Sequence, residues 1–289
     1  MEYLNEKLIL LQLCEELILK EVDKICVNNG INYFIGGGTA IGQRRHGGFI
    51  PWDDDIDINM SRSDYNKFLS IASKELPSFL FLQNHNTDSD FSKLYSKIRL
   101  KKTKFVEYQY RNSKMEQGIY IDVFPMDISL NNDQYLRKMD KRIGLYYSLY
   151  DYRINPSSNQ PMVNLKDRIR NVIKHIIHFL LCVFPKKFYS NSYYNFLLKN
   201  KVDSDYLADY ATVGGKSFVV DSKLVFPVKR GTFDMIEVNI PNDIDAFLRL
   251  RYGDSYMTLP PIAQRINHSP YELDFGEYTK EKVISMIRS

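Results

Sequence analysis

The stretch that decides the fold is YFIGGGTAIGQRRHGGFIPWDDDIDINM, residues 33–60. An apolar run ends in three glycines at positions 36–38, and a group of aspartates follows before position 58. The alternation of Asp55, Ile56, Asp57 and Ile58 has the period of a β-strand, which predicts both carboxylates on one face. Two neighbouring carboxylates repel each other unless a cation lies between them, so the pattern indicates a metal-binding strand.

The same stretch predicts a site for a divalent cation and a phosphate group. Oxygen ligands with an open coordination position suit Mg²⁺ or Mn²⁺, above all when a substrate phosphate supplies the remaining oxygens. A glycine turn lets backbone N–H groups approach a phosphate, and a helix that begins near Thr39 would add its N-terminus. We therefore predict a phosphate-binding turn at Gly37, Gly38 and Thr39, followed by metal ligands at Asp55 and Asp57.

Three common nucleotide or metal motifs fail here on spacing. A dinucleotide-binding fingerprint that starts at Gly36 lacks its last glycine, because position 41 is isoleucine. A P-loop that starts at Gly37 lacks its lysine, because position 43 is glutamine. An EF-hand loop that starts at Asp53 lacks its central glycine at position 58. An acidic solvated loop is the remaining alternative, but such a loop has little reason to interleave isoleucines with its acids.

A third acid stands inside the apolar run GIYIDVFP, residues 118–125. Asp122 is flanked there by isoleucine and valine, and a buried carboxylate is costly unless it is paired or bound to a metal. We predict a strand in which Asp122 is the third metal ligand or the catalytic base. Asp127 follows a proline and is predicted to be a turn or cap residue.

Two basic residues share one face of a further predicted strand, residues 94–100. Lys97 and Arg99 are two positions apart, and side chains at that spacing point to the same side. Like charges side by side disfavour a strand unless an anion lies between them, which predicts a phosphate site. The alternative is a solvated edge strand that carries protective charges.

Hydrophobic periodicity and capping residues predict the surrounding elements. Ser61 is predicted to cap the helix that follows the acidic strand. Helices are expected at residues 4–28, 62–73, 133–152 and 165–184, and strands at residues 31–35, 79–83 and 223–228.

The run GGGTAIGQRRHGGFIPWDDDIDI, residues 36–58, resembles the signature of the LicD family, which belongs to the nucleotidyltransferase-fold superfamily and is related to the fukutin group. The similarity extends over positions 33–68 and returns at 97–99, 118–127, 226–233 and 251–268. It implies an α+β fold, with a nucleotidyltransferase-like mixed β-sheet core flanked by helices and an additional basic helical segment. It also implies transfer of phosphocholine or a phospho-alditol from a CDP-linked donor to a glycan.

The resemblance assigns roles to individual residues. It implies that Asp55, Asp57 and Asp122 are catalytic and that the metal is held by Asp53, Asp55, Asp57 and Asp122. Arg45 matches the motif beside the acids, so it either contacts the donor phosphates or shapes the loop. The implied donor-binding set is Gly37, Gly38, Thr39, Arg45, Lys97 and Arg99. Where the family has a Phe-Glu-Gly-like element, this chain has Thr-Phe-Asp-Met at 232–235, which leaves that local contact open.

Length and composition set the class of protein. A chain of 289 residues with 44 % hydrophobic residues can bury a sizeable core in one large domain or two small ones. The three cysteines are far apart and odd in number, which fits a reducing compartment and no disulfide framework. Neither a signal peptide nor an apolar run of about 18 residues is evident. We therefore predict a cytoplasmic protein that contacts, at most, the inner face of the membrane.

Charge is distributed unevenly along the chain. The net charge is +4, but residues 137–199 carry +9 and the rest carries −5. Residues 165–184 predict a basic amphipathic helix, which either lies in a membrane interface or packs on its own domain. The predicted organisation is a catalytic core at residues 1–130, a basic helical insertion at 131–205 and a C-terminal segment at 206–289 that packs on the core.

Three functions remain open at this stage. The first is a Mg²⁺-dependent phosphotransferase that uses a CDP-linked alcohol donor and a glycan or lipid-linked glycan acceptor. The second is a nucleotidyltransferase that transfers the nucleoside monophosphate to a small phosphorylated substrate. The third is a non-catalytic scaffold that binds a membrane or a partner through the basic helix. No nucleic-acid-binding motif accompanies the basic segment, so nucleic acid is not a predicted partner.

Overall fold

A computed structural model describes residues 5–156, 164–212 and 216–289. The helices are α1 Asn5–Asn28, α2 Gly37–His46, α3 Arg62–Glu75, α4 Asp133–Ile154, α5 Leu165–Leu181, α6 Lys186–Lys199, α7 Ser222–Val225, α8 Ile244–Tyr252 and α9 Lys280–Arg288. The strands are β1 Tyr33–Ile35, β2 Asp57–Ser61, β3 Leu80–Gln83, β4 Ser96–Leu100, β5 Lys104–Val106, β6 Tyr120–Ser129, β7 Tyr206–Asp209, β8 Phe218–Asp221, β9 Lys229–Phe233, β10 Ile236–Ile240 and β11 Glu272–Asp274. The fold is α+β, as predicted, and no described helix is long and apolar enough to cross a bilayer.

A mixed sheet forms the centre of the molecule. Its strands run in the order β1-β2-β6-β4-β3, and β7 pairs with β6 and with β8. The pair β2–β6 is parallel, whereas the other pairs in this sheet are antiparallel. Because β6 is long, its first half pairs with β4 and its second half with β7. It is therefore the strand around which the two halves of the sheet are joined.

The segment β1–α2–β2 forms as its sequence predicts. Ile56 and Ile58 are fully buried, while Asp55 and Asp57 remain partly exposed, so the predicted alternation of faces is confirmed. The regular strand begins at Asp57, two residues later than the pattern predicts. Ser61 caps α3 by accepting a hydrogen bond from the Asp64 N–H, which also confirms a prediction.

Two sequence predictions about elements are wrong. Asp127 is not a turn residue: it lies within β6, and its carboxylate accepts two hydrogen bonds of 2.8 Å from Arg62. The strand tolerates Pro125 because the position lies between the parts of β6 that pair with β4 and with β7. Residues 223–228 do not form a strand, because Asp221 caps the short helix α7 there and β9 starts only at Lys229.

The helices α4, α5 and α6 pack together beside the sheet. The buried residues of α4 and α6 form a cluster with β7 that is separate from the main core around α1 and the sheet, and the partly buried Leu181 of α5 packs against it. This cluster is rich in tyrosine and contains Tyr147, Tyr150, Tyr189, Tyr193 and Tyr210. The predicted boundaries of the catalytic core, the insertion and the C-terminal segment stay predictions.

A buried glutamate in α1 gives the protein a pH-dependent stability. Glu16 accepts a hydrogen bond of 2.7 Å from the Met235 N–H, and burial raises its pKa to about 7. Because the folded-state pKa lies above the ordinary value of 4.5, the contribution of Glu16 to stability is full below pH 4.5 and is lost as the pH rises through about 7.

Glu16→Gln should therefore stabilise the protein at alkaline pH. The amide keeps an acceptor for Met235 but removes the buried charge, so we expect a gain of roughly 1–3 kcal/mol in the free energy of unfolding at pH 8 and little change at pH 4.5. Urea denaturation at the two pH values measures this difference. An equal effect at both values would contradict the assignment of the charge to Glu16.

Candidate active site

The parallel pairing of β2 with β6 brings two of the predicted acids together. Asp57 and Asp122 occupy paired positions in the register of these strands. The Asp122 N–H donates to the Ile56 carbonyl at 2.8 Å, so the pairing extends one residue before β2. Residues paired on adjacent strands present their side chains to the same face. The two carboxylates predicted to share a metal thus lie side by side.

The glycines at the start of α2 lie against the carboxylates. A Cβ atom on Gly37 would lie 2.2 Å from Oδ2 of Asp57, and one on Gly38 would lie 2.6 Å from Oδ2 of Asp53. Gly37 also has a positive φ of 52°, which side chains disfavour. Thr39 fixes the strand from the other side, because its Oγ1 accepts a hydrogen bond of 2.9 Å from the Asp57 N–H. A side chain at Gly37 would therefore strain the backbone and push the Asp57 carboxylate aside, so glycine at this position leaves the acids their place.

The acids raise one another's pKa, and burial is the first cause in each case. The pKa of Asp53 is raised to about 7 and that of Asp55 to about 6. Burial lifts the pKa of Asp57 well above its usual range, with further contributions from Asp55, Asp122 and Asp53. The electrostatic strain of holding these carboxylates together is what a bound cation would relieve.

Lys97 reaches Asp122 across the sheet. Lys97 and Asp122 are paired positions of β4 and β6, and the Lys97 Nζ lies 2.7 Å from Oδ1 of Asp122. The ammonium also lies 3.2 Å from the ring centroid of Tyr120. Lys97 is buried, so the alternative of a solvated edge strand is wrong. The Lys97 ammonium is paired with an acid in this structure, so phosphate binding by Lys97 stays a prediction.

Arg99 has contacts that favour a structural role over the predicted donor contact. It is almost fully buried, and its guanidinium donates to the Gln83 side chain at 2.5 Å and to the Gly118 carbonyl at 2.6 Å. Its guanidinium also covers the ring of Tyr120. The strand period placed Arg99 and Lys97 on one face but could not indicate that this face is covered.

Arg45 and the C-terminal segment form a basic rim around the acids. Arg45 donates to the carbonyls of Tyr256 and Thr258, so it fixes that segment and lies near Asp53, whose charge acts on it. The Arg251 charge lowers the pKa of Asp57. The Arg265 guanidinium lies 4.7 Å from the ring centroid of Trp52. The rim therefore places positive charge beside the acids.

His268 closes the site from the far end of the chain. Its backbone N–H donates to both carboxylate oxygens of Asp54 at 3.0 Å, and its Nδ1 lies 2.9 Å from Oδ1 of the same residue. Its Nε2 lies 3.8 Å from Oδ2 of Asp55. The hydrogen bond to Asp54 raises the pKa of His268 to about 9, so the imidazole is positively charged at neutral pH. The sequence marked this region by similarity but gave no contact for it.

Glu15 is a buried acid near the predicted acids, and the sequence did not single it out. It lies in α1, is buried, and its Oε2 has no hydrogen-bond partner among the described residues. Burial raises its pKa well above the usual range, and the charges of Asp54, Asp55, Asp53 and Asp122 raise it further. A signal was present, because the apolar repeat through Leu8, Leu11, Ile18 and Val22 would place an apolar residue at position 15.

The residues present fit a divalent cation by their chemistry. Carboxylate oxygens are the preferred ligands of Mg²⁺, and Asp53, Asp55 and Asp57 are carboxylates whose pKa values burial and neighbouring acids raise, which a cation would relieve. No group of three or more described Asp, Glu, His or Cys side chains is arranged to hold a metal by itself. Asp122 is directed toward Lys97 and Asp54 toward His268 in this arrangement.

The segment at residues 232–235, where the chain departs from the Phe-Glu-Gly-like element of the LicD family, makes a defined contact. Oδ2 of Asp234 accepts a hydrogen bond of 3.0 Å from the Phe49 N–H, and the Asp234 N–H donates to the Gly47 carbonyl. A Cβ atom on Gly48 would lie 2.1 Å from the Asp234 carboxylate. Asp234 therefore braces the loop that leads into the acids.

Comparison with protein families decides the relationship. The family described as LicD/FKTN/FKRP, nucleotidyltransferase domain, matches residues 30–166, which contain the glycine turn and all the predicted acids. The chain carries a LicD-family domain. The paired acids of β2 and β6 and the adjoining glycines are thus the central part of that domain.

Individual proteins that resemble this chain extend the comparison. The lipopolysaccharide cholinephosphotransferase LicD of Haemophilus influenzae is 29 % identical over 258 residues, which cover 84 % of this chain and 89 % of that protein. The ribitol 5-phosphate transferase FKRP of Homo sapiens is 26 % identical over 98 residues, or 32 % of this chain and 20 % of that protein. An uncharacterised protein of Rickettsia typhi is 39 % identical over 62 residues, or 22 % of this chain and 19 % of that protein.

Proposed function

We propose that this protein is a Mg²⁺-dependent phosphotransferase that moves phosphocholine or a related phospho-alcohol from a CDP-linked donor to a hydroxyl of a glycan. By their names, the Haemophilus influenzae and human relatives transfer phosphocholine and ribitol phosphate, which are both phospho-alcohol groups. The observation that carries the proposal is the pairing of Asp57 with Asp122 next to the Gly37 turn, with the pKa of Asp57 raised by its neighbours.

Asp55, Asp57 and Asp122 would hold the metal, with Asp53 assisting. A bound Mg²⁺ would neutralise charge on the donor phosphates and draw the donor to the acids. Protein ligands alone do not complete its coordination in the described arrangement, so donor oxygens would supply the rest. Mn²⁺ prefers the same oxygen ligands and would serve as a substitute.

The chain's own residues would position the donor around this centre. The N-terminus of α2 at Gly37 and Gly38 offers backbone N–H groups, and Arg45, Arg251 and His268 supply positive charge on the exposed side. Thr39 acts through Asp57, whose backbone it fixes. Arg99 is not part of this proposed set, because its donors bond within the sheet.

The proposed reaction is a displacement at phosphorus. The acceptor oxygen forms a bond to the phosphorus distal to the nucleoside, the bond from that phosphorus to the bridging oxygen breaks, and CMP leaves with the bond's electron pair. A carboxylate accepts the proton of the hydroxyl. Asp122 is the candidate for this base in the alternative in which Asp122 does not bind the metal. We place the proposed reaction in the cytoplasm, because the odd number of widely spaced cysteines fits a reducing compartment.

A panel of donors tests the proposal. The purified protein is incubated with Mg²⁺, one of CDP-choline, CDP-glycerol or CDP-ribitol, and glycans that carry free hydroxyls. We expect CMP release together with a glycan mass gain equal to one phospho-alcohol group. Incorporation of the nucleotide itself would support the nucleotidyltransferase alternative, and no reaction with any nucleotide donor would support the scaffold alternative.

A further inference from the structure

The helix α5 is packed with its apolar side outward. Its hydrophobic residues recur every three or four positions and form one stripe, yet no residue of the helix is buried. A helix that packs on its own protein turns such a stripe inward. The members of the stripe and its continuation are each 50–77 % exposed and comprise Leu165, Ile169, Val172, Ile173, Ile176, Phe179, Leu180 and Val183.

The opposite side of α5 faces the protein. His178 Nδ1 lies 2.9 Å from the Tyr152 carbonyl, and Lys174 lies 5.6 Å from the centroid of the Tyr152 ring. Leu181 packs against the tyrosine-rich cluster of α4 and α6. At the other end, Asn164 and Asp167 cap the helix with reciprocal hydrogen bonds. Specific contacts along the helix therefore fix its orientation: α5 packs on its own domain through this side and leaves the apolar stripe exposed.

The apolar surface continues beyond the helix. Phe184 and Phe188 are about half exposed and stack on each other at a centroid distance of 4.7 Å. With the stripe of α5 they form one apolar surface, which we call the outer face. A surface of this kind marks a binding site for another apolar partner.

Charge around the outer face selects the kind of partner. Lys166 and Arg168 flank the stripe in the sequence of the helix, both are exposed, and residues 137–199 carry a net charge of +9. A second copy docked through the same face would bring two such charges together. The complementary partner is an apolar surface bordered by negative charge, and an anionic lipid bilayer has both properties.

We propose that the outer face binds the surface of an anionic bilayer, with α5 lying parallel to it. The stripe enters the boundary between head groups and acyl chains, and the basic side chains reach up to the lipid phosphates. Attachment is reversible because no described helix is long and apolar enough to span the bilayer. This inference concerns binding alone and stands independently of the proposed transfer reaction.

Co-sedimentation with vesicles tests the proposal. The full chain is mixed with vesicles of phosphatidylcholine alone or of phosphatidylcholine with phosphatidylglycerol, at low and at high salt. We expect binding to the anionic vesicles that falls as salt rises, since salt screens the charges. Phe179→Ser with Val183→Ser should weaken partitioning by roughly tenfold or more by removing apolar contact. Lys166→Glu with Arg170→Glu should weaken it by roughly tenfold or more at low salt.

Matched variants control for general effects of polarity and charge. Ile9→Ser with Val27→Ser replaces two exposed apolar residues of α1, and Lys102→Glu with Lys223→Glu reverses two exposed charges outside residues 137–199. Both control variants should bind like the unaltered protein. All the substituted side chains are exposed, so circular dichroism should show the same fold throughout.

Several results would overturn the proposal. Protein that stays in the supernatant with anionic vesicles at low salt rules it out, as does equal loss of binding in the control variants. The remaining contrary result is a dimer that does not bind vesicles and that Phe179→Ser with Val183→Ser converts to a monomer. That result would assign the outer face to self-association.

Discussion

Asp57→Asn is expected to abolish group transfer while it raises the melting temperature of the metal-free protein. Burial and the charges of Asp55, Asp122 and Asp53 hold the pKa of Asp57 far above its usual range, so the ionised carboxylate destabilises the fold. Asparagine removes that charge without changing the shape. Because Asp57 is a proposed metal ligand, its loss should lower turnover by more than about a hundredfold. Asp55→Asn should behave in the same way.

Two measurements check this prediction. CMP release reports turnover, and thermal unfolding with and without Mg²⁺ reports the site. The unaltered protein should melt at a higher temperature with Mg²⁺, and the Asp57→Asn protein should not respond. Asp203→Asn, at an exposed position outside the site, is the matched control and should leave both readouts unchanged. Full turnover in Asp57→Asn would remove Asp57 from the proposed site.

Lys97→Met is expected to destabilise the metal-free protein by about 3–5 kcal/mol, because it leaves the Asp122 carboxylate buried without its ion pair. The Lys97 and Asp122 side chains are only 3 % and 11 % exposed, and the Lys97 Nζ lies 2.7 Å from Oδ1 of Asp122. Methionine is similar to lysine in length, so most of the loss is electrostatic. Urea denaturation in the presence of a chelator measures the change.

A double-mutant cycle with Asp122→Asn isolates the pair. When the acid has already been neutralised, Lys97→Met should cost far less, because no buried charge is left behind. An equal cost in both backgrounds would show that Lys97 stabilises the fold by packing over Tyr120, which lies 3.2 Å from its ammonium. Mg²⁺ should reduce the cost of Lys97→Met if it takes over the neutralisation of Asp122.

Local sequence patterns predicted the central segment well. The alternation around Ile56 and Ile58 and the cap at Ser61 depend on residues a few positions apart, and both are confirmed. The apolar run around Asp122 likewise predicted a buried strand with one acid. These features follow from backbone periods that operate within a single element.

Features that depend on distant partners could not be predicted in the same way. Arg99 satisfies the same strand period as Lys97, but its donors meet Gln83 and Gly118, which only the folded sheet brings to it. Asp127 was assigned from its neighbouring proline, whereas its role depends on Arg62 in another element. The amphipathic pattern of α5 predicted two faces, but the contacts of His178 decide which face turns outward.

The contact between Asp54 and His268 joins residues 214 positions apart, and this has a consequence for the order of events during synthesis. Until position 268 has left the ribosome, the glycine turn and its acids have no imidazolium beside them, and Arg45 has no carbonyls of residues 256 and 258 to hold. The nascent chain can form β2 and β6 early, but it cannot assemble the basic rim around their acids. The basic rim around the acids can therefore be completed only after position 268 has been synthesised.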